Sequence, residues 1–217
     1  MMDIHSTVVQ RSNRVPPFSY NAPAGTATVE GLRSTFLNNS PHKAPSAGGQ
    51  TADFSNRQHR DTQAIACNRP SSATDVIPVT LLHPVFGEFF DDCENYEPHK
   101  TDHDFVLKLQ TAMSHIYADE KSRAKAIRDI FELYGIYLRP TKIGNFETDG
   151  DMTSGRFVTL LAEFKNDVGW SGAKPYLQAA LYYPEFTRKL APKFSQSALP
   201  CLIMLVFGSF SSPVLVY

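Results

Sequence analysis

Residues 161–167 read LAEFKND, an apolar run that ends in an acid, one aromatic residue and a lysine. Side chains two apart on a strand share a face, so a strand here sets Glu163 beside Lys165 and turns Phe164 towards the opposite layer. Upstream, TDGD supplies Asp149 and Asp151. A hairpin pairing the two segments brings two carboxylates and an ammonium together. Carboxylate oxygens, completed by a backbone carbonyl and water, suit Mg²⁺ or Mn²⁺, hard cations that keep part of their hydration shell. Such an ion can polarise a phosphodiester oxygen and acidify a water, while a lysine orients the nucleophile or offsets developing charge. The plainer reading is an ion pair at a strand end. The triplet Asp119-Glu120-Lys121 repeats the acid-x-Lys pattern in a helical context, where it reads as solvated surface.

The elements around these residues follow from periodicity. Within TDHDFVLKLQTAMSHIYADE, Thr101 precedes Asp104 by three, as in a capping box, and Phe105, Leu109, Ala112 and Ile116 recur at helical spacing. A second helix is predicted over 119–134, with Ala124, Ile127, Phe131 and Tyr134 on its apolar side and Gly135 as its stop. The pattern then turns to strand, with IYLRP, a connection KIGNFETDGDMTSG, and RFVTLLAEFK; Thr153, Ser154 and Gly155 read as a hairpin turn. Pro175 suits the first turn of a further helix, PYLQAALYY, which should stop or kink at Pro184. From Ala198 to Tyr217 there is no charged residue, but two prolines and serines around a glycine favour a buried strand over 201–207 rather than a membrane anchor. Helices, hairpin, helix and strand in that order give an α/β or α+β domain, a small mixed sheet flanked by helices.

Residues 1–75 are rich in Ser, Thr, Asn, Pro and Gly and show no apolar periodicity, so they read as a disordered tail preceding a folded domain at 76–217. The tail holds seven basic and five acidic residues, scattered rather than gathered into an arm. The 217-residue chain is 42 % hydrophobic with a formal net charge of −1, enough for a core and too balanced for an overall basic field. Its three cysteines, Cys67, Cys93 and Cys201, fit neither a disulfide framework nor a zinc site of cysteine pairs, which points to an intracellular, reducing compartment. The start lacks an apolar stretch of signal-peptide length. No membrane segment and no small-molecule cofactor motif is predicted.

Asp149, Glu163 and Lys165 together resemble the active-site signature of the PD-(D/E)xK, or restriction-endonuclease-like, nuclease superfamily. In RecB-like members the acid-x-Lys strand feeds a helix bearing Gln-x-x-x-Tyr, which Gln178 and Tyr182 match at i, i+4 spacing. EFKNDVGWSGAKPYLQAALYY is also similar to a motif of fungal proteins and crinkler-type effectors, where a nuclease-like domain often precedes a protein-kinase-like one. That resemblance spans residues 83–207. It departs at Asp167, where Glu is usual, and at Lys174, where an acid is usual. In the proteins it resembles the fold continues beyond the point corresponding to Tyr217, so the resemblance implies, as an expectation, a C-terminally truncated or divergent copy. It implies a restriction-endonuclease-like core and metal-dependent cleavage of DNA or RNA. Asp149 and Glu163 would hold Mg²⁺ or Mn²⁺, Lys165 would assist the nucleophile, and Gln178 would help orient it or the substrate. A second reading keeps the fold without the chemistry, as an interaction or regulatory module.

Other candidates carry less. Asp129 or Glu132 could add an acid from the second helix. His99 and His103 have metal-ligand spacing, but Pro98 and a helix start at that point work against a shared face. Ser171 lacks the strand-turn-helix context of a nucleophile elbow, and Trp170 reads as a loop anchor or a base-stacking platform.

Overall fold

The computed structural model describes residues 29–60, 62–65, 79–81, 83–165, 172–195, 197, 199–207 and 210–216. Among them are seven α-helices and two small sheets, a mixed α+β architecture. Helices α1 (Val29–Asn39), α2 (Pro45–Gly48) and α3 (Thr51–Gln58) come first. A 3₁₀ turn at Val79–Leu81 leads into α4 (Pro84–Asn95), α5 (Lys100–Ser114) and α6 (Glu120–Leu133). The two-residue strands β1 (Lys142–Ile143) and β2 (Phe146–Glu147) form one hairpin; β3 (Gly150–Ser154) and β4 (Phe157–Lys165) form the next. Helix α7 (Pro175–Thr187) and a 3₁₀ turn at Ala191–Lys193 precede β5 (Cys201–Phe207) and β6 (Phe210–Val216).

The larger sheet runs β3-β4-β5-β6. β3 and β6 are antiparallel to their neighbours, whereas β4 and β5 are parallel, in register from Leu160 opposite Leu202 to Lys165 opposite Phe207. A parallel pair needs a crossover, and α7 lies on it. The central strands are buried on both faces, which explains why LLAEF and CLIML lack polar alternation. Pro213 has no N–H to give a ladder and sits on the edge strand β6, opposite Met204.

Alternation along β4 divides the core. Ala162 and Phe164 face α5 and α6, where Leu109, Met113, Ile127 and Phe131 meet Val206. Leu161 faces α7, with Ala179, Tyr182, Cys201, Ile203 and Leu205. Ile127 is fully buried at the centre of the first cluster. Ile127→Ala should therefore cost about 2–5 kcal/mol by denaturant unfolding, the range for a buried aliphatic side chain cut back to a methyl.

Helix ends follow local chemistry. Asp119 caps α6 through the Ser122 N–H, and Gly135, at φ +79°, takes the left-handed conformation that ends it. At α5 the cap lies two residues before Thr101: the Asp102 carboxylate accepts from the His99 N–H at 2.6 Å. That helix stops at Ser114, leaving Ile116 fully exposed. IYLRP forms only a single bridge, Arg139 to Asp151. The helix carrying PYLQAALYY runs through Pro184 to Thr187 instead of stopping there. Proline removes one backbone bond and crowds the preceding turn, but the last turn is held from outside. Arg188 donates to the Leu37 carbonyl of α1, to the Ser40 carbonyl just beyond it and to Glu185, and within the turn the Thr187 hydroxyl donates to the Tyr183 carbonyl.

The largest correction concerns the N-terminal region. Residues 29–58, expected to be a disordered tail, fold as α1–α3 and pack on α7. Leu37 and Phe54 are buried, the Lys174 N–H donates to the Gly49 carbonyl at 2.9 Å, and Gln50 bridges to Ala173. Gly48 and Gly49 permit this approach, since a Cβ at Gly49 would lie 3.0 Å from the Gln178 nitrogen. Residues 1–28 and 66–75 of that expected tail lie outside the described residues. Among the described residues no helix is long and apolar enough to cross a membrane. The expected strand at 201–207 is β5.

Candidate functional site

The β3–β4 hairpin sets the site. Gly150 pairs with Ala162 and Asp151 with Leu161, so Asp149, just before β3, stands opposite Glu163. Its Oδ2 accepts the Phe164 N–H at 2.9 Å, which fixes the carboxylate at the strand end. Arg128 of α6 donates to the Asp149 carbonyl and holds the turn from the helix side. Glu163 is on the α7 face, Phe164 on the other, as the alternation requires.

Glu163 is wholly buried, and both of its carboxylate oxygens lack a hydrogen-bond partner. Lys165 Nζ lies 3.0 Å from Oε1, an ion-pair contact without hydrogen-bond alignment. The ammonium instead donates to Glu120 Oε1 at 2.9 Å. Burial pushes the Glu163 carboxyl up to about 8, with Asp149 adding like-charge repulsion and Lys165 opposing. Asp149 is likewise raised, chiefly by burial, against the Phe164 N–H and Lys165. Burial alone would lower Lys165, but the Glu163 and Glu120 carboxylates outweigh it and hold the ammonium charged.

Asp151 has a different role. It is buried, yet it accepts the Thr148 and Thr141 hydroxyls at 2.7 and 3.0 Å. A carboxylate so satisfied braces the hairpin and has little left for a ligand. The contrast with Glu163, which accepts no hydrogen bond in the same sheet, separates Asp151 from Asp149, the acid of TDGD that stands opposite Glu163.

Helix α7 closes the other side. Tyr182 is in the core and donates to the Glu147 carbonyl at 2.7 Å; its hydroxyl also meets the Gln178 side chain and feels both Glu163 and Asp149. Gln178 is itself buried. The structure therefore gathers Asp149, Glu163, Lys165, Gln178 and Tyr182, with Gln178 reaching the acids by way of Tyr182.

Glu120 was missed. Read as part of a solvated triplet, it stands in the first turn of α6 and, half exposed, pairs with Lys165 across 45 residues. Only the packing of α6 against the end of β4 reveals it. The other helix acids do not join: Asp129 pairs with Lys125 on the surface at 2.6 Å, and Glu132 is exposed. His99 is the cap residue of α5 and His103 lies one turn on within the helix, and among the described residues the two belong to no group of three potential metal ligands. Asp167, Trp170 and Ser171 lie outside the described residues.

Among the described residues no three His, Cys, Asp or Glu side chains form a group able to hold a metal by themselves. A cation here would be held by two carboxylates, with backbone oxygen and water completing it. The carboxylate of Glu163 fits that demand, because neither oxygen accepts a hydrogen bond and the one Lys165 contact leaves Oε2 without a partner in a buried setting. Compared with protein-family models, curated proteins and solved structures, the chain matches none.

Proposed function

We propose that this domain is a metal-dependent nuclease, hydrolysing phosphodiester bonds of DNA or RNA with Mg²⁺ or Mn²⁺. The observation that carries the proposal is Glu163, a fully buried carboxylate with neither oxygen hydrogen-bonded and a single ion-pair contact, to the Lys165 ammonium, beside Asp149. Buried polar groups are normally satisfied, and strongly perturbed titratable clusters are enriched at functional sites. The order hairpin, helix, parallel strand supports the same reading, since it is the order of a restriction-endonuclease-like core.

Asp149 and Glu163 would hold the ion, which supplies Lewis-acid polarisation and a more acidic water. Lys165 would be the reacting cation of the site: released from Glu163 when the ion binds, its ammonium would donate to a phosphate oxygen or to the attacking water. Glu120 holds the lysine at the solvent side in the meantime. Tyr182 and Gln178 position rather than react, for both are buried and the Tyr182 hydroxyl is held by the Glu147 carbonyl.

One observation favours a second reading. Lys165 already contacts Glu163 and Glu120 at 3.0 and 2.9 Å, so the lysine can serve as a permanent internal cation in a non-catalytic interaction or regulatory module. Calorimetry of Mg²⁺ with the full chain, run beside cleavage of labelled DNA and RNA, distinguishes the two. A nuclease binds Mg²⁺, loses binding in Asp149→Asn, and in Lys165→Ala keeps binding while losing cleavage. No Mg²⁺ heat from folded protein, with Lys165→Ala destabilised instead, would favour the internal cation.

A further inference from the structure

A cleft of about 220 Å³ opens where the end of α1 and the helix α3 meet α7. None of the residues of the acidic site lines it. Leu181 and Pro184 of α7, both buried, form its floor, and Lys43, Arg57 and Arg60 bring cations to its walls. The two carboxylates there are already engaged. Asp53 holds Lys43 at 2.6 Å. Glu185, with 8 % of its side chain exposed, gives one oxygen to Arg188 and the other to His42, each at 2.9 Å.

Arg57 is not so provided. Half-buried, its guanidinium meets one acceptor among the described residues, the Ser40 hydroxyl at 3.2 Å, and pairs with no carboxylate. It also feels a second guanidinium. Burial first and the like charge of Arg188 second hold Arg57 below its ordinary pKa, with Glu185 opposing. Arg188 is fixed where it stands by the Leu37 and Ser40 carbonyls and Glu185, and its Nε is buried without a partner. Arg60 has only the Gln63 amide oxygen, at a long 3.4 Å. Among the described residues, then, Lys43, Arg57, Arg60 and Arg188 stand against Asp53 and Glu185, a surplus of two positive charges with His42 neutral.

Like charges gathered in a half-buried cleft repel until an anion joins them. The chemistry of the donors says which anion. A guanidinium fork matches phosphate oxygens bidentately, and a tetrahedral dianion can take Arg57, Arg60 and the Asn56 amide from different sides while balancing both charges. A carboxylate has one charge and two oxygens. At roughly 30 Å³ per water the cleft admits a phosphate group with a short stem, and it falls below the roughly 300–1,000 Å³ of clefts that enclose larger ligands.

We infer that the cleft between α1, α3 and α7 binds a phosphate dianion, free or as the end of a small phosphomonoester, with Arg57 as its principal ligand. The inference is independent of the nuclease reading, since no metal and no residue of that site takes part. The probes are inorganic phosphate and glycerol 3-phosphate, titrated calorimetrically into the full chain at about pH 8 and constant ionic strength, without divalent metal. Saturable one-to-one binding is the expected result; tighter phosphate assigns the free anion, tighter glycerol 3-phosphate the monoester. Arg57→Gln should weaken binding by about tenfold or more, and Arg57→Lys, which keeps the charge without the fork, should recover part of it. Asn56→Asp changes an exposed position, leaves the packing alone and sets a carboxylate in the cleft, so it should weaken binding as well. Absence of saturable binding by both probes overturns the inference. So does binding undiminished in Arg57→Gln or in Asn56→Asp, or acetate bound as tightly as phosphate.

Discussion

Glu163→Gln should make the protein more stable at pH 8 than the wild type and, in the same variant, remove Mg²⁺ binding. The stability arm follows from linkage. Glu163 has an ordinary carboxyl value of 4.5 when unfolded and about 8 when folded. Below pH 4.5 both states hold the proton and nothing is lost. Between pH 4.5 and 8 the unfolded chain releases it while the native one retains it, so stability falls as pH rises through that window. Glutamine imitates the neutral form at every pH. The gap between variant and wild type should accordingly open from near zero at pH 4.5 to the order of a few kcal/mol at pH 8, with the Lys165 contact moderating it. Denaturant unfolding at the two pH values measures this. A gap that stays flat with pH means that Glu163 is not carrying the burial penalty. Added Mg²⁺ should stabilise the wild type by mass action and leave Glu163→Gln unchanged; equal stabilisation of both would remove Glu163 from the ligand set. Asp151→Asn is the contrast, since its carboxylate already accepts two threonine hydroxyls and the change removes an acceptor.

How much of this was readable beforehand depends on whether the information is local. Alternation puts Glu163 and Lys165 on one strand face from sequence alone, and the helix over 119–134 is legible because Ala124, Ile127 and Phe131 repeat at its period and Gly135 ends it. The strand at 201–207 was visible as an apolar run too broken for a membrane helix. What stayed hidden is decided by distant contacts. Glu120 looks like surface until α6 is packed beside the end of β4. TDGD does not say which aspartate meets Glu163; the register of β3 with β4, and the threonines that take up Asp151, decide that. Pro184 obeys no local rule, because the turn after it is held by Arg188 and α1.

Removing residues 1–60 should cost the domain its cooperative unfolding, the opposite of what their composition suggests. α1 carries Val29, Leu32 and Phe36 at helical spacing, but Leu32 is 58 % exposed and the residue that α1 buries is Leu37, while α3 has only Phe54, so patterning does not mark their buried faces. These helices are stabilised by what they dock on. Arg188 reaches the Leu37 and Ser40 carbonyls, Glu185 pairs with His42 at 2.9 Å, and Gly48 lies against Leu181. Deletion would leave Arg188 without two acceptors, uncover the apolar Leu181 face of α7, and loosen the helix that bears Gln178 and Tyr182. Limited proteolysis of the full chain should therefore spare 29–58 and cut elsewhere first. A deletion can fail for general reasons, so Gly49→Val supplies the finer test. Its Cβ would lie 3.0 Å from the Gln178 nitrogen and from the Pro45 carbonyl oxygen, contacts with backbone that cannot swing aside. The α2–α7 seam must open, with a loss of about 1–3 kcal/mol typical of overpacking. If Gly49→Val unfolds like the wild type and the protein lacking residues 1–60 melts cooperatively at the same midpoint, the N-terminal helices are an appendage and α7 is positioned by the sheet alone.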